Sequence, residues 1–387
     1  MKRPVICEVF ANLVDPRVER TRHHDLIDIV VISVLAVICG ADGWEDIEAF
    51  GTHKEPWLRE FLVLRHGIPS NYTFQRVFAA LDVDEFHKCF LAWTKSLVVS
   101  TMGKSIAIDG KTLRGSYTTS EKRDPRHIVS AWVGENHIVF GQVATEAKSN
   151  EITAIPKLLE MLDVRGATIT IDAIGCQKKI VDKIVDRGAD YVLSVKNNQP
   201  TLHAEIQEAF AAAAHIQAPL PPEATHMSSE KAHGRAEVRR VTAMNVEDYL
   251  SCKEDWKGLR SIVLVERERT LGSETSKEVH YYISSHEANA EALGARIRGH
   301  WGIENEQHWT LDMAFDEDRC RIRSKNGPDN FALLRRFALN LLKAEKSSKR
   351  GIEGKRKKAG WDTTYLLKVL EQVASTYPNE SDTEAGT

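Results

Sequence analysis

The sequence predicts an α/β fold, a mixed β-sheet flanked by helices, with a helical N-terminal region and a β-rich insertion before the last helices. Apolar residues recur at helical spacing through roughly the first hundred positions. Beyond them, short apolar runs rich in β-branched residues alternate with helical patterns. We therefore predict three parts of the chain: a helical domain at 1–100, an α/β domain at 101–345 with the insertion at 215–285, and a basic segment with a polar tail at 346–387.

The N-terminal part contains an apolar run, Leu26 to Cys39, that predicts a buried helix. Asp28 interrupts the run, which is also shorter than the roughly 20 residues that span a bilayer. Pro69-Ser70-Asn71 is typical of a helix start, and Phe74 and Phe78 follow at helical spacing. No secretory pattern is present, so we expect a cytoplasmic protein without a membrane partner.

The α/β part begins with the run Ile106-Ala107-Ile108, after which strand and helix patterns alternate. The predicted strands are 105–109, 128–133, 138–145, 168–172 and 191–195, followed by 238–241, 261–267 and 279–283 in the insertion. The predicted helices are 152–162, 176–187 and 200–214, and helical structure returns from Ala288. A meander followed by strand–helix units indicates a mixed sheet with helices on both faces.

Composition indicates an ordinary globular protein rather than a strongly basic one. Hydrophobic residues make up 42% of the chain and charged residues 28%, and the formal net charge is −3. This balance is mild evidence against indiscriminate nucleic-acid binding. The six cysteines contain no CxxC pair, so neither a zinc site nor a disulfide framework is indicated. Positive charge is nevertheless clustered at 17–24, 319–325 and 343–358, which suits contacts with phosphate.

Three acidic residues are the strongest candidates for chemistry. Asp109 and Asp172 each end an apolar run, and Glu304 lies in a helical pattern far downstream. Carboxylates at the ends of neighbouring parallel strands repel each other unless a cation or a proton lies between them. With the glutamate they can hold two divalent cations such as Mg²⁺, an arrangement that cuts and joins phosphodiesters. A strand-end aspartate can also simply cap a turn.

The residues around Glu304 allow a second interpretation. His300, Glu304, His308 and Asp312 recur every fourth residue, so they lie roughly on one face of the predicted helix. A zinc site built from the histidines and the glutamate is an alternative, but the HExxH order of zinc-dependent proteases is absent. We therefore favour the site of carboxylates.

Cations near the acids are candidate contacts for DNA phosphates. The segment Gly110 to Gly115 places Lys111 and Arg114 beside Asp109, and its glycines allow a ligand to approach the backbone. Lys196 follows a strand at the same predicted edge of the sheet. Each can instead lie on a solvated surface. The further candidates for DNA contacts are Arg298, His300, Asn305, Arg321 and Arg323.

Several motifs along the chain are specific in combination. They are Asp15-Pro16-Arg17, the stretch from Trp44 to Gly51, Ile108 to Gly115, Lys148 to Pro156, Ile171-Asp172 with Gln177, Val195 to Gln199, and His300 to Asn305 with His308-Trp309 and Leu311-Asp312. Through these motifs, and over nearly its whole length, the chain resembles the DDE insertion-sequence transposases of the H-repeat-associated type.

The resemblance implies an RNase H-like catalytic core behind a helical N-terminal domain. It implies that Asp109, Asp172 and Glu304 bind two Mg²⁺ ions, for which Mn²⁺ can substitute. It further implies that the protein binds the terminal inverted repeats of an insertion sequence and transfers the cut strand into target DNA. A homodimer or larger assembly on DNA, associated with the nucleoid, is the expected state.

The helix of the glutamate departs from the pattern of the wider group. That pattern, Tyr-x2-Arg-x3-Glu-x6-Lys, would place its tyrosine, arginine and lysine where this chain has Ile297, His300 and Leu311. Arg298 is the candidate replacement for the arginine. Two alternatives to a transposase stay open: a metal-dependent nuclease that cuts without joining, and a catalytically silent DNA-binding remnant of a mobile element.

Overall fold

The computed structural model describes residues 4–98, 100–117, 124–145, 150–215, 220–232, 235–246 and 250–374, and within them a nine-stranded mixed sheet forms the centre. The strands are β1 (Ser105–Leu113), β2 (Arg126–Val133), β3 (Ile138–Ala144), β4 (Thr168–Ile171), β5 (Asp190–Val195), β6 (Thr225–Ala232), β7 (Arg235–Asn245), β8 (Ser261–Leu271) and β9 (Glu274–Ser284). Their order across the sheet is β3-β2-β1-β4-β5-β9-β8-β7-β6.

The pairing of β1 with β4 determines where the two candidate aspartates lie. These strands are parallel, and Ile108 of β1 is opposite Ile171 of β4. β4 and β5 are also parallel, whereas β2 and β3 form an antiparallel meander beside β1. The predicted mixed sheet is therefore confirmed, and Asp109 and Asp172 emerge at the same end of two adjacent strands.

The β-rich insertion continues the central sheet. β9 pairs antiparallel with β5, with Val192 opposite Ser284, and β8, β7 and β6 follow in antiparallel order. The three predicted strands of the insertion are present but longer than predicted. β6 was not predicted, because its sequence Thr-His-Met-Ser-Ser-Glu-Lys-Ala lacks alternating apolar residues.

Helices cover both faces of the sheet. They are α1 (Ile6–Val9), α2 (Leu26–Ile38), α3 (Trp44–Leu58), α4 (Asn71–Ala80), α5 (Val83–Leu97), α6 (Glu151–Met161), α7 (Lys178–Asp186), α8 (Pro200–His215), α9 (Ala290–Gly302), α10 (Trp309–Phe315), α11 (Gly327–Ala344), α12 (Ile352–Trp361) and α13 (Thr363–Ala374). A π-helical segment, Ile303–His308, joins α9 to α10. Among the described residues, no helix is both long and apolar enough to span a membrane.

The alternation of side chains along β1 separates two hydrophobic cores. Ile106 and Ile108 pack with α6, α7 and α8, whereas Ala107 lies in the core formed by α2, α11 and α13. Asp109 follows Ala107 by two residues, so it shares the face of the second core. That core contains both the N-terminal and the last helices, so these two parts of the chain pack together.

The basic C-terminal cluster is partly internal, which the sequence did not predict. Lys355 is buried and donates to the backbone carbonyl of Leu342 (2.8 Å). Arg356 is also buried and donates to the carbonyls of Val37 (3.1 Å) and Ala41 (3.2 Å). These two cations therefore connect helices, and only other members of the cluster are available for phosphate.

Candidate active site

Asp109 and Asp172 lie side by side where the parallel pairing of β1 with β4 stops. The pairing ends one residue before each aspartate. The prediction that β1 ends at Asp109 was wrong, because residues 110–113 keep their hydrogen-bonding partners on β2. Asp172 does follow the end of its strand, and its carboxylate accepts a hydrogen bond from the backbone N–H of Ile174 (3.1 Å). It therefore caps a turn as well as facing Asp109.

Glu304 lies on the π-helical segment and not on a regular helix. Such segments often occur at functional sites. Ile303 and Gln307 are fully buried, whereas Glu304 is exposed. Burial and the nearby charge of Asp172 raise the pKa of Glu304. The glutamate is therefore close enough to sense one of the two aspartates.

Several carboxylates surround Asp109. Burial, with the charges of Glu151, Asp172 and Glu304, raises the pKa of Asp109 to about 7, although the backbone N–H of Gly110 opposes this shift. Burial and the charge of Glu151 also raise the pKa of Asp172. A group of acids like this is unfavourable without a compensating positive charge. The electrostatics of the site therefore favour a bound cation.

The donor set of the site fits magnesium. Asp109, Asp172 and Glu304 offer carboxylate oxygens, which Mg²⁺ and Mn²⁺ prefer. Among the residues that the structure describes, however, no three His, Cys, Asp or Glu side chains are grouped closely enough to hold an ion. Cation binding thus requires these side chains to move toward the ion.

His300 and His308 face different strands. Nδ1 of His300 is 3.0 Å from Oγ1 of Thr170 on β4, and Nδ1 of His308 is 3.5 Å from Oδ2 of Asp109 on β1. Burial lowers the pKa of His300 to about 4, and burial with nearby cations lowers that of His308 to about 3. This geometry does not favour the zinc alternative. Because His300 is largely buried, its contact with DNA stays a prediction.

Lys111 lies between two acids and not against solvent. Its Nζ is 2.6 Å from Oδ1 of Asp312 and 2.9 Å from Oδ1 of Asp318, and 8% of its side chain is exposed. Both aspartates follow the segment of Glu304 in the chain. Lys111 therefore ties that segment to β1, and its predicted contact with DNA would require these ion pairs to open.

Other predicted DNA contacts lie at the surface. The side chain of Arg114 is 82% exposed. Lys196 is exposed after β5 and close enough to lower the pKa of Asp172. Arg298 forms an ion pair with Glu230 of β6 (2.5 Å), and Asn305 is exposed on the π-helical segment. Arg114 and Lys196 are therefore the cations best placed beside the acids.

Two clefts along α4 carry further cations. Arg321 and Arg323 line the first, where the segment after α10 meets α4. Nε of Arg323 donates to the carbonyl of Gly115 (3.1 Å), and its guanidinium lies over the ring of Tyr117. The second cleft is lined by Arg17, His23, His24 and Arg76, among others. The N-terminal helices thus add positive charge to the surface that continues from β1.

Glu151 was not among the predicted site residues. Of the neighbouring charges, it has the largest effect on the pKa of both Asp109 and Asp172. It is the first residue of α6, and its Oε1 is 2.7 Å from Nε2 of His127. The sequence motif from Lys148 to Pro156 includes it, but no spacing rule relates it to the aspartates. Only the packing of α6 against the sheet brings it there.

Known proteins share these features over most of the chain. The family described as "Transposase DDE domain" matches residues 101–341, and the family described as "DDE_Tnp_1-associated" matches residues 7–94. The "H repeat-associated putative transposase YhhI" of Escherichia coli K12 is 41% identical over 357 residues, which cover 90% of this chain and 92% of that protein.

Two further relatives are informative. The "Putative transposase YncI" of Escherichia coli O157:H7 is 41% identical over 351 residues, covering 90% of this chain and 89% of that protein. The "Inactive transposase YbfQ" of Escherichia coli K12 is 44% identical over 54 residues, which cover 14% of this chain and 64% of that protein. The likeness to that protein is thus confined to a short part of this chain.

Proposed function

Because the chain belongs to the family of transposases with a DDE domain, we propose that it cleaves DNA at insertion-sequence ends and joins the freed ends to target DNA. The observation that carries this proposal is the position of Asp109 and Asp172 on adjacent parallel strands, with Glu304 near Asp172. Three acids from distant parts of the chain are thereby brought to one end of the sheet, as chemistry with two cations requires.

In this mechanism Asp109, Asp172 and Glu304 bind two Mg²⁺ ions, or Mn²⁺ in their place. Such ions activate the attacking oxygen and stabilise the leaving oxygen of an in-line displacement. The protein holds the acids in position. His308, neutral at pH 7, contacts the carboxylate of Asp109, and the ion pairs of Lys111 fix the segment of Glu304 against β1.

DNA binds, in this proposal, along the positive surface next to the acids. Arg114 and Lys196 flank the acids, and Arg321 and Arg323 extend the surface toward α4. Contacts of this kind with phosphate position the duplex without reading its sequence. We further propose that two or more protomers bring the element ends together, in the cytoplasm at the nucleoid.

The test is cleavage and joining of a labelled duplex that carries the terminal repeat of the element. With Mg²⁺ or Mn²⁺ and target DNA, we expect cuts at the repeat end and joined product from the unaltered protein. Asp109→Asn removes an anionic ligand while nearly keeping the shape of the side chain, so both products should disappear. Glu160→Gln, on the exposed side of α6, is the matched control and should keep both activities.

Three other outcomes would redirect the assignment. Cutting without joining, with proper ends and target present, would identify a nuclease. DNA binding without metal-dependent cutting would identify a silent remnant of a mobile element. Equal cleavage by Asp109→Asn and the unaltered protein would contradict the assignment of the acids.

A further inference from the structure

Glu151 is held at the acid site by contacts from two strands. It begins α6, and 12% of its side chain is exposed. Its Oε1 is 2.7 Å from Nε2 of His127 on β2, and Nδ1 of the same histidine is 2.9 Å from Oγ1 of Thr112 on β1. The carboxylate therefore has a defined position, set by an imidazole that is itself held by β1.

The absence of a side chain at Gly110 makes room for this carboxylate. A Cβ at that position would lie 2.2 Å from Oε1 of Glu151 and 2.3 Å from Nε2 of His127. These distances are far below van der Waals contact, so only glycine fits without movement. Glu151 consequently lies against the backbone of the residue that follows Asp109.

A purely structural role does not explain an acid at this position. Glu151 pairs with one histidine, yet its charge acts on both Asp109 and Asp172 and makes their ionised forms less favourable. Replacing the acid by a neutral amide would keep the hydrogen bond to His127 and remove that repulsion. A carboxylate here becomes favourable only when a cation occupies the site.

We propose that Glu151, positioned by His127 and by the space at Gly110, is a fourth carboxylate ligand of the divalent-cation site. The inference rests on the proposed function only in requiring that Asp109 and Asp172 bind cations. Mg²⁺ and Mn²⁺ take about six ligands each, so two ions leave many positions that three acids do not fill. Glu151 reaches the site from α6, whereas Glu304 reaches it from the π-helical segment.

The test measures Mn²⁺ binding without DNA, so it does not depend on catalysis. Free Mn²⁺ is followed by electron paramagnetic resonance, and the unfolding midpoint is measured in EDTA and in saturating Mn²⁺. We compare the unaltered chain with Glu151→Gln, Asp109→Asn and the control Glu160→Gln, which changes an exposed acid on the same helix.

We expect Glu151→Gln to weaken Mn²⁺ binding by at least about tenfold, the lower end of the loss when even outer partners of a metal site are removed. Its unfolding midpoint in EDTA should stay equal or rise, because a repulsive charge is gone. The increase in midpoint caused by Mn²⁺ should shrink. Glu160→Gln should behave as the unaltered chain.

Two results would overturn the inference in different ways. If Glu151→Gln lowers the midpoint equally in EDTA and in Mn²⁺, with unchanged Mn²⁺ affinity, Glu151 is structural and the proposed function is unaffected. If the unaltered chain and Asp109→Asn both fail to bind Mn²⁺, the cation site itself is wrong, and the proposed function fails with it.

Discussion

At the residue scale, two glycines near Asp109 illustrate different reasons for the absence of a side chain. A Cβ at Gly110 would meet the ends of two flexible side chains, Glu151 and His127. A Cβ at Gly115 would lie 2.1 Å from the backbone oxygen of Cys320, which cannot move without shifting the segment after α10. The first glycine therefore controls the position of a functional group, and the second allows two backbones to approach.

We expect alanine at these positions to have opposite effects on stability and on metal binding. Gly115→Ala should lower the free energy of unfolding by about 1–3 kcal/mol, because backbone must shift to relieve the overlap. Gly110→Ala should cost less than about 1 kcal/mol but weaken Mn²⁺ binding, because Glu151 is displaced. Urea unfolding and Mn²⁺ titration measure both effects. Unchanged Mn²⁺ affinity in Gly110→Ala would contradict this account.

At the scale of elements, a histidine connects α5 to β3. Nε2 of His87 accepts a hydrogen bond from the backbone N–H of Gln142 (3.2 Å), so the imidazole must be neutral at that nitrogen. Burial lowers the pKa of His87 to about 4. In the unfolded chain the histidine binds a proton near pH 6.5. Its contribution to stability is therefore complete above pH 6.5 and is lost as the pH falls toward 4.

This linkage predicts a pH dependence that one substitution reduces. Between pH 7 and pH 5, protonation of His87 in the unfolded state should cost the fold about 2 kcal/mol. His87→Gln keeps an acceptor for Gln142 but does not titrate, so its loss of stability over this range should be smaller by that amount. His53→Gln, at an exposed position on α3, is the control. Urea unfolding at both pH values measures the difference, and parallel pH profiles would disprove the linkage.

At the scale of the whole molecule, the two ends of the chain share one hydrophobic core. The rings of Phe10 and Phe337 are 5.2 Å apart, and Leu366 of α13 belongs to the same cluster as α2. Arg356 of α12 joins this assembly, since it donates to carbonyls that follow α2 and lies over the ring of Phe315 on α10. The helical regions therefore support the segment that carries Glu304.

Removing this connection should destabilise the whole protein. Arg356→Met keeps most of the side-chain volume but leaves buried carbonyls without donors, so we expect a loss of about 2–4 kcal/mol in the free energy of unfolding. Lys357→Met, at the neighbouring exposed position, removes only a surface pair with Glu353 and should cost less than about 1 kcal/mol. Denaturant unfolding followed by two probes compares them, and equal losses would show that Arg356 carries no special connection.

The sequence alone determined the fold class and the identity of the main acids. Period-two and helical patterns predicted the strands of the central sheet and the helices between them, because burial of one face imposes these periods locally. The apolar runs before Asp109 and Asp172 also predicted two parallel strands that end near each other. Motifs of this kind, together with the family match, are sufficient to recognise a DDE transposase.

Only the tertiary structure decided which charged residues face the site and which face the interior. Lys111, His300 and Arg356 read as surface or DNA-contacting residues in the sequence, yet their partners, up to about three hundred residues away, bury them. Glu151 reaches the acids only because α6 packs over the space at Gly110. Side-chain direction depends on such long-range packing, and local periodicity contains no information about it.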